Sequence, residues 1–225
     1  VFLFSSSAVE LQWNPTVEDS FAVLTSDGVF STYLFDFNVC LKVPGTCLSW
    51  SPKGKQVVVG DAGGHLHQFK PDMTLVRTVS PPKDYVSSSN CVGLCWLSTT
   101  EFLIAYSVAN EQDLHISIVT AKKEGLPNWL HFSNVIYCAK QCPYLQRVYF
   151  VPLFQWNIVL CASSRSSEVG VLGKHDGVWK MWSLNDNSRI EMPLSHQSDD
   201  TFPLGICFDT SSEIPVISGE GTLMN

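Results

Sequence analysis

The chain has 225 residues, of which 45% are hydrophobic and only 16% charged, and it carries a formal net charge of −7. This composition supports one large β domain or two small ones and excludes long disordered tracts. The 14 lysines and arginines are scattered, which excludes direct nucleic-acid binding through a basic stripe, and no apolar run approaches the roughly 20 residues of a membrane span.

Two segments near the start of the chain repeat one pattern, an alternating strand that ends on Trp and turns at Pro. They are residues 9–15, Val-Glu-Leu-Gln-Trp-Asn-Pro, and residues 46–52, Thr-Cys-Leu-Ser-Trp-Ser-Pro. An apolar strand follows each, at 21–24 and 57–60, and then an Asp-Gly or Gly-Gly pair. Such pairs supply the positive φ angles of a two-residue hairpin. A third strand and a weaker fourth complete each unit, as in one blade of a β-propeller.

Fainter copies of this unit follow along the chain. Trp13 and Trp50 lie 37 residues apart, and Trp50 and Trp96 lie 46 apart, which brackets the blade period of about 40 to 45 residues. Because nothing supplies a closing strand, we expect residues 1–225 to be a single all-β arc cut from a larger WD40-like propeller. The predicted units are four full blades, at about 8–44, 45–80, 90–133 and 146–194, and part of a fifth at 203–225.

The later units are longer than the first two, and we interpret the extra residues as insertions at 80–89, 122–143 and 174–198. Insertions in repeat proteins tend to lie on one face, often the binding face. The recurring tryptophans Trp13, Trp50 and Trp96 predict packing between blades. Trp179 and Trp182, in the third insertion, are interpreted as part of a long hairpin that packs against its neighbour.

No catalytic motif is present in the sequence. It has no Gly-x-Ser-x-Gly, no P-loop and no His-Glu-x-x-His, and the serines at 163–167 lack a nearby His and Asp. The sequence therefore predicts a protein that is not an enzyme and uses no cofactor.

Cysteine spacing raises the question of zinc. Cys91 with Cys95 and Cys138 with Cys142 each have a spacing that zinc sites tolerate. The two pairs lie in different units, however, and the His-x-His at 65–67 lacks a further ligand, so a metal site is disfavoured. Most of the eight cysteines lie in apolar stretches, and we expect buried thiols in a reducing compartment.

Acidic residues concentrate in the late units, at Asp186, Glu191, Asp199, Asp200 and Asp209. Two interpretations of this stretch are equally supported by composition. It is either a solvated loop, as charge runs usually are, or an electrostatic landing surface for a basic protein partner.

Residues 50–60 resemble a blade turn of the N-terminal propeller of the CAN nucleoporin family, the FG nucleoporins of the cytoplasmic face of the nuclear pore. Residues 13–17 and 167–169 resemble it too, and the stretches 187–193 and 198–205 are the most specific. The resemblance runs in order over nearly the whole chain. The Trp-Asp dipeptide of ordinary WD40 repeats is missing, which also favours this divergent family.

The resemblance implies a seven-bladed propeller at the nuclear pore complex. Such a propeller binds a DEAD-box RNA helicase of mRNA export in competition with RNA, with other nucleoporins as further partners. The chain would then lack the family's first blades and its Phe-Gly repeats. The positions that match the helicase-facing loops are Arg189, Glu191, Asp199, Asp200 and Glu168. The alternative is an unrelated WD40-type scaffold that binds peptides of a multiprotein complex.

Overall fold

The computed structural model describes residues 6–34, 43–83, 89–108, 114–139, 146–209, 211, 216–217 and 223–224. Four antiparallel four-stranded sheets follow one another along the chain, and a two-stranded pair lies at the end. The first sheet contains β1 (Ala8–Trp13), β2 (Ser20–Thr25), β3 (Val29–Leu34) and β4 (Val43–Pro44). The second contains β5 (Cys47–Trp50), β6 (Val57–Gly60), β7 (Leu66–Phe69) and β8 (Leu75–Val79).

The third sheet contains β9 (Ser89–Trp96), β10 (Glu101–Val108), β11 (Leu114–Thr120) and β12 (Asn128–Phe132). The fourth contains β13 (Val148–Leu153), β14 (Ile158–Ser163), β15 (Glu168–His175) and β16 (Val178–Trp182), and β17 (Ile190–Glu191) also pairs with β15. The final pair is β18 (Val216–Ile217) with β19 (Leu223–Met224). The architecture is all-β and propeller-like.

The second strand of the early sheets is buried on both faces. Every residue of β2 and of β6 is buried, which explains why these strands are nearly continuous apolar runs rather than alternating ones. The buried side chains of neighbouring sheets form shared clusters: one joins the first and second sheets, one the second and third, and one the third and fourth. The core therefore lies between blades.

Hydrogen bonds reinforce the packing between blades. The Trp50 indole N–H donates to the backbone oxygen of Gln12 at 3.0 Å, and the backbone N–H of Trp96 donates to the Ser49 hydroxyl at 2.9 Å. Both rings are buried, which confirms the prediction for these two tryptophans. Trp13 differs: its ring lies 5.2 Å from that of Phe21, but its residue is 54% exposed. The prediction of packing between blades was wrong there, because Trp13 lies on the face of β1 turned away from the second sheet.

Two of the three predicted insertions contain regular blade structure. Residues 122–143 include β12, and residues 174–198 include β16, the outer strands of the third and fourth sheets. Part of the first predicted insertion, 84–88, lies outside the described residues. Within the predicted fifth unit at 203–225, residues 204–208 have no regular structure.

The β15–β16 hairpin contains Trp179 and Trp182, as predicted, but only one of the two rings is buried. Trp179 packs in the cluster between the third and fourth sheets, and the ammonium of Lys174 lies 5.6 Å from its ring centre. Lys174 also bonds both carboxylate oxygens of Glu101 on the third sheet at 2.9 Å. Trp182 is 41% exposed.

Six cysteines lie in the described residues, and all six are free. Cys138 is half-buried and Cys207 is exposed, whereas the remaining four are buried: Cys47, Cys91, Cys95 and Cys161. The prediction of buried thiols is confirmed for these four and wrong for Cys207. Cys40 and Cys142 lie outside the described residues.

Thiol reactivity should follow this burial. Burial raises the pKa of Cys95 to about 12 and raises the pKa of Cys47 well above its usual range. The attacking species of a thiol reagent reaction is the thiolate. In the native protein we expect Cys207 to react about a hundredfold or more faster than either of these thiols. Mass-spectrometric mapping after timed alkylation measures the rates, and comparable labelling of Cys95 and Cys207 would contradict the buried packing.

Candidate protein-docking site

One strand, β15, organises the predicted site because two different strands pair with it in succession. β16 pairs with Val171–His175, and β17 pairs with Glu168 and Val169. The hairpin between β15 and β16 turns at Asp176 and Gly177, both with positive φ, as a two-residue hairpin of this type requires. The chain then runs through a short 3₁₀ turn at Asp186–Ser188 and returns as β17. This path places Glu191 directly opposite Glu168.

Arg189 lies at the centre of three carboxylates. Its guanidinium is 3.0 Å from Asp186 Oδ1, 3.7 Å from Glu191 Oε1 and 3.9 Å from Glu168 Oε1. These four side chains, called the Arg189 cluster below, carry a formal charge of −2. All four are more than two-fifths exposed, so their ion pairs contribute little to stability and leave carboxylate oxygens available to a partner.

Asp199 and Asp200 lie on a separate turn. The Ser195 hydroxyl accepts the backbone N–H of Asp199 at 3.0 Å, and the Ser195 N–H donates to the Asp199 carbonyl at 2.9 Å. Both aspartates are exposed. Within the described part of the chain, no ion pair or side-chain hydrogen bond links either carboxylate to the Arg189 cluster. The structure thus brings Glu168, Arg189 and Glu191 together, adds Asp186, and leaves Asp199 and Asp200 apart.

A groove of about 420 Å³ adjoins the Arg189 cluster. β15 forms its floor at residues 169–171, β16 contributes Met181 and Trp182, and the segment after the third sheet contributes Val135 and Tyr137. Glu168 and Arg189 lie on the groove as well. No sequence pattern predicts this groove, because it depends on the contact of residues 134–137 with β15.

The fold separates Cys91 from Cys95, one of the two cysteine pairs considered for zinc, whereas Cys142 of the other pair lies outside the described residues. A β-bulge interrupts the β9–β10 register near Val92, so Cys91 packs toward the second sheet, 3.2 Å from Cys47 Sγ, while Cys95 packs toward the fourth. A four-residue spacing on a regular strand would have placed both thiols on one face.

The histidines at 65–67 take part in a hydrogen-bonded turn. His67 Nε2 lies 2.8 Å from Asp61 Oδ2, and its Nδ1 lies 3.1 Å from the Thr78 hydroxyl. Asp61 also accepts the backbone N–H groups of Gly63 and His65, which fixes the turn between β6 and β7. Among the residues that the structure describes, no group of three or more His, Cys, Asp or Glu side chains is arranged to hold a metal.

The described residues also contain no helix that is long and apolar enough to cross a membrane. The Arg189 cluster and the groove beside it offer hydrogen-bond acceptors next to the exposed side chains of Met181, Trp182 and Tyr137. Carboxylates bond lysine and arginine groups, and exposed aromatic and Met side chains are frequent in protein interfaces. The arrangement suits the binding of a basic protein surface.

Comparison with known proteins shows which family the chain belongs to. Residues 4–220 match the family model described as the NUP159/214 beta propeller. The chain is 35% identical over 221 residues to the Nup214 nuclear pore complex protein of Drosophila melanogaster, and 30% identical over 233 residues to that of Homo sapiens. These matches cover 91% and 96% of the chain but only 13% and 11% of the relatives, so the chain spans about an eighth of their length.

Solved structures share the fold at lower identity. The N-terminal domain of Nup159 matches with a TM-score of 0.73 at 18% identity, covering 93% of this chain and 61% of that one. Nup159 in a complex of Saccharomyces cerevisiae Dbp5, Gle1, IP6 and ADP matches with a TM-score of 0.70 at 19% identity, covering 90% and 58%. The family match excludes the alternative of a scaffold from an unrelated WD40 family. The chain belongs to the NUP159/214 β-propeller family of nuclear pore complex proteins.

Proposed function

We propose that this chain docks a DEAD-box RNA helicase at the cytoplasmic face of the nuclear pore complex and thereby supports mRNA export. The observation that carries the proposal is the Arg189 cluster, in which three carboxylates surround one guanidinium on an exposed strand edge. The structural relative Nup159 has been solved bound to Dbp5 and Gle1, which supports a helicase as the partner.

Electrostatics favours this class of partner. The chain has a net charge of −7, and the cluster adds a local excess of two negative charges. An acidic surface speeds encounter with a basic partner and fixes its orientation. An RNA helicase presents basic groups to phosphates, so a carboxylate surface and RNA compete for such groups. The chain itself would neither catalyse a reaction nor bind nucleic acid directly, and other nucleoporins would be further partners.

The proposal includes a larger ring. The four sheets would be four blades of a seven-bladed propeller, and residues 203–225 would begin a fifth. Two observations support this: β18 pairs with β19 after the fourth sheet, and the chain covers 58% and 61% of the two Nup159 chains that it matches. Those shares are close to four blades out of seven.

Charge reversal tests the docking surface. In the intact protein, we expect the double change Glu168→Lys and Glu191→Lys to weaken helicase binding about tenfold or more, because like charges then face the partner. Since exposed charges are screened, the loss should shrink at high salt. Isothermal titration calorimetry at two salt concentrations measures both effects.

The matched control is Glu18→Lys with Asp19→Lys, two exposed carboxylates in the first blade. This pair should leave the affinity nearly unchanged. Asp199→Lys with Asp200→Lys decides whether the separate turn belongs to the interface. If the Glu18/Asp19 reversal and the Glu168/Glu191 reversal weakened helicase binding equally, a localised docking surface would be contradicted.

A further inference from the structure

The fourth blade combines exposed apolar side chains with a concave surface. Tyr137, Trp182 and Met181 are 57%, 41% and 39% exposed and all three line the groove beside the Arg189 cluster. Other strongly exposed apolar residues, such as Leu126, do not line it. Exposed apolar surface that lines a groove and is bordered by charge is typical of protein interaction sites.

At the floor of the groove, a short stretch of the β15 edge is paired with neither β16 nor β17. β16 pairs with β15 from Val171 onward and β17 pairs with Glu168 and Val169, so neither strand pairs with Gly170. Val169 and Val171 on either side are buried. The volume of about 420 Å³ exceeds that of one large side chain and falls within the usual range of ligand pockets, roughly 300–1,000 Å³.

Charge determines what kind of segment fits. Glu168 and Arg189 lie on the groove itself, and Asp186 and Glu191 extend the acidic cluster beyond it. An acidic cluster complements lysine or arginine, while the exposed Tyr137, Met181 and Trp182 side chains of the groove complement an apolar side chain. A buried apolar anchor surrounded by polar contacts is also the common arrangement of binding hot spots.

We infer that the groove receives one large apolar side chain of the helicase, from a segment in which lysine or arginine flanks that anchor. This inference rests on the proposed function and assigns the two kinds of contact to different residues. The Arg189 cluster guides and orients the partner, whereas the groove slows its dissociation, since truncation or blocking of a buried anchor acts mainly on the dissociation rate.

Filling the groove tests the inference. Ser183 lines the groove and is exposed, so Ser183→Trp should obstruct the groove without changing charge. Tyr137→Ala removes one wall of the groove, and because the Tyr137 side chain is exposed, we expect the variant to fold normally. Each variant of the intact protein should bind the helicase about tenfold more weakly. Ser26→Trp, at an exposed turn of the first blade, is the matched control and should bind normally.

Salt separates the two contributions. The loss caused by Ser183→Trp and Tyr137→Ala should persist at high salt, whereas that of the Glu168 and Glu191 reversals should shrink. Circular dichroism and thermal melting verify that each variant folds. If Ser183→Trp does not fold, the affinity of Tyr137→Ala alone decides whether the groove contributes to helicase binding. If the charge reversals weaken binding and both groove variants bind like the parent, the inference fails and the proposed function stands. If neither the charge reversals nor the groove variants weaken binding, both the inference and the proposed function fail.

Discussion

Gly170→Ala is expected to lower the free energy of unfolding by about 3 kcal/mol, because overpacking a site that cannot relax costs this much. A Cβ atom at residue 170 would lie 2.1 Å from the carbonyl oxygen of Val135. Val135 and Ile136 are buried in the core between the third and fourth sheets, so this backbone cannot move aside without disturbing that core. Urea denaturation of the intact protein measures the change.

A second glycine on the same strand is the control. A Cβ atom at Gly173 would lie 2.1 Å from the Trp182 ring, but this ring is partly exposed and can swing outward. Gly173→Ala should therefore cost only about 1 kcal/mol, and Gly205→Ala, with open space around its Cβ position, should cost less still. Equal costs at 170 and 173 would show that residues 134–137 do not rest on β15.

Glu10→Gln is expected to stabilise the protein by about 2 kcal/mol at pH 8 and to destabilise it slightly, by less than about 1 kcal/mol, near pH 4.5. The Glu10 carboxylate lies between the first two sheets, where it accepts hydrogen bonds from the Gln12 amide at 2.7 Å and the Leu48 N–H at 3.3 Å. Burial raises its pKa to about 7, although these hydrogen bonds act in the opposite direction.

The direction of the pH dependence follows from proton binding. Between pH 4.5 and pH 7 the folded chain holds a proton on Glu10 that the unfolded chain releases, so stability falls as the pH rises through this range. The raised pKa alone corresponds to roughly 3 kcal/mol, and the variant forfeits about 1 kcal/mol when one of the two hydrogen bonds is lost. Thermal melts of the parent and variant from pH 4.5 to pH 8 measure the difference.

Glu18→Gln, which removes an exposed carboxylate of the same blade, serves as the control and should show no such trend. A stability difference between Glu10→Gln and the parent that is the same at every pH would place the Glu10 carboxylate in solvent.

The all-β, propeller-like architecture could be predicted because its signals are local. Trp-x-Pro turns, Asp-Gly pairs and apolar second strands each lie within one unit of the chain. The outer strands β12 and β16 were taken for insertions because most of their residues are exposed or half-buried. Little apolar periodicity then remains to distinguish a strand from a loop.

The orientation of β1 was harder to predict. Alternation suggests that Val9, Leu11 and Trp13 face the core, yet these three are exposed, and the opposite face turns toward the second sheet. Glu10 and Gln12 lie on that face and bond the backbone of Leu48. Which face of a strand meets its neighbour depends on the neighbour, and the sequence of one strand does not contain that information.

In the candidate site, too, some residues could be predicted from the sequence, while their contacts depend on the tertiary structure. Resemblance supplied Glu168, Arg189 and Glu191, and the structure joins them through the β15–β17 pairing. Asp186 was part of the predicted acidic stretch, but its 3.0 Å contact with Arg189 depends on the 3₁₀ turn. The groove depends on residues 134–137 crossing to β15, a tertiary contact with no sequence signal.

The central claim is that this surface docks an RNA helicase in competition with RNA. Its most direct test is the equilibrium affinity of the intact protein for the purified DEAD-box helicase, measured with and without saturating single-stranded RNA. We predict binding without RNA that weakens markedly once the helicase is loaded with RNA. Absence of binding, or an affinity that RNA leaves unchanged, would contradict the account.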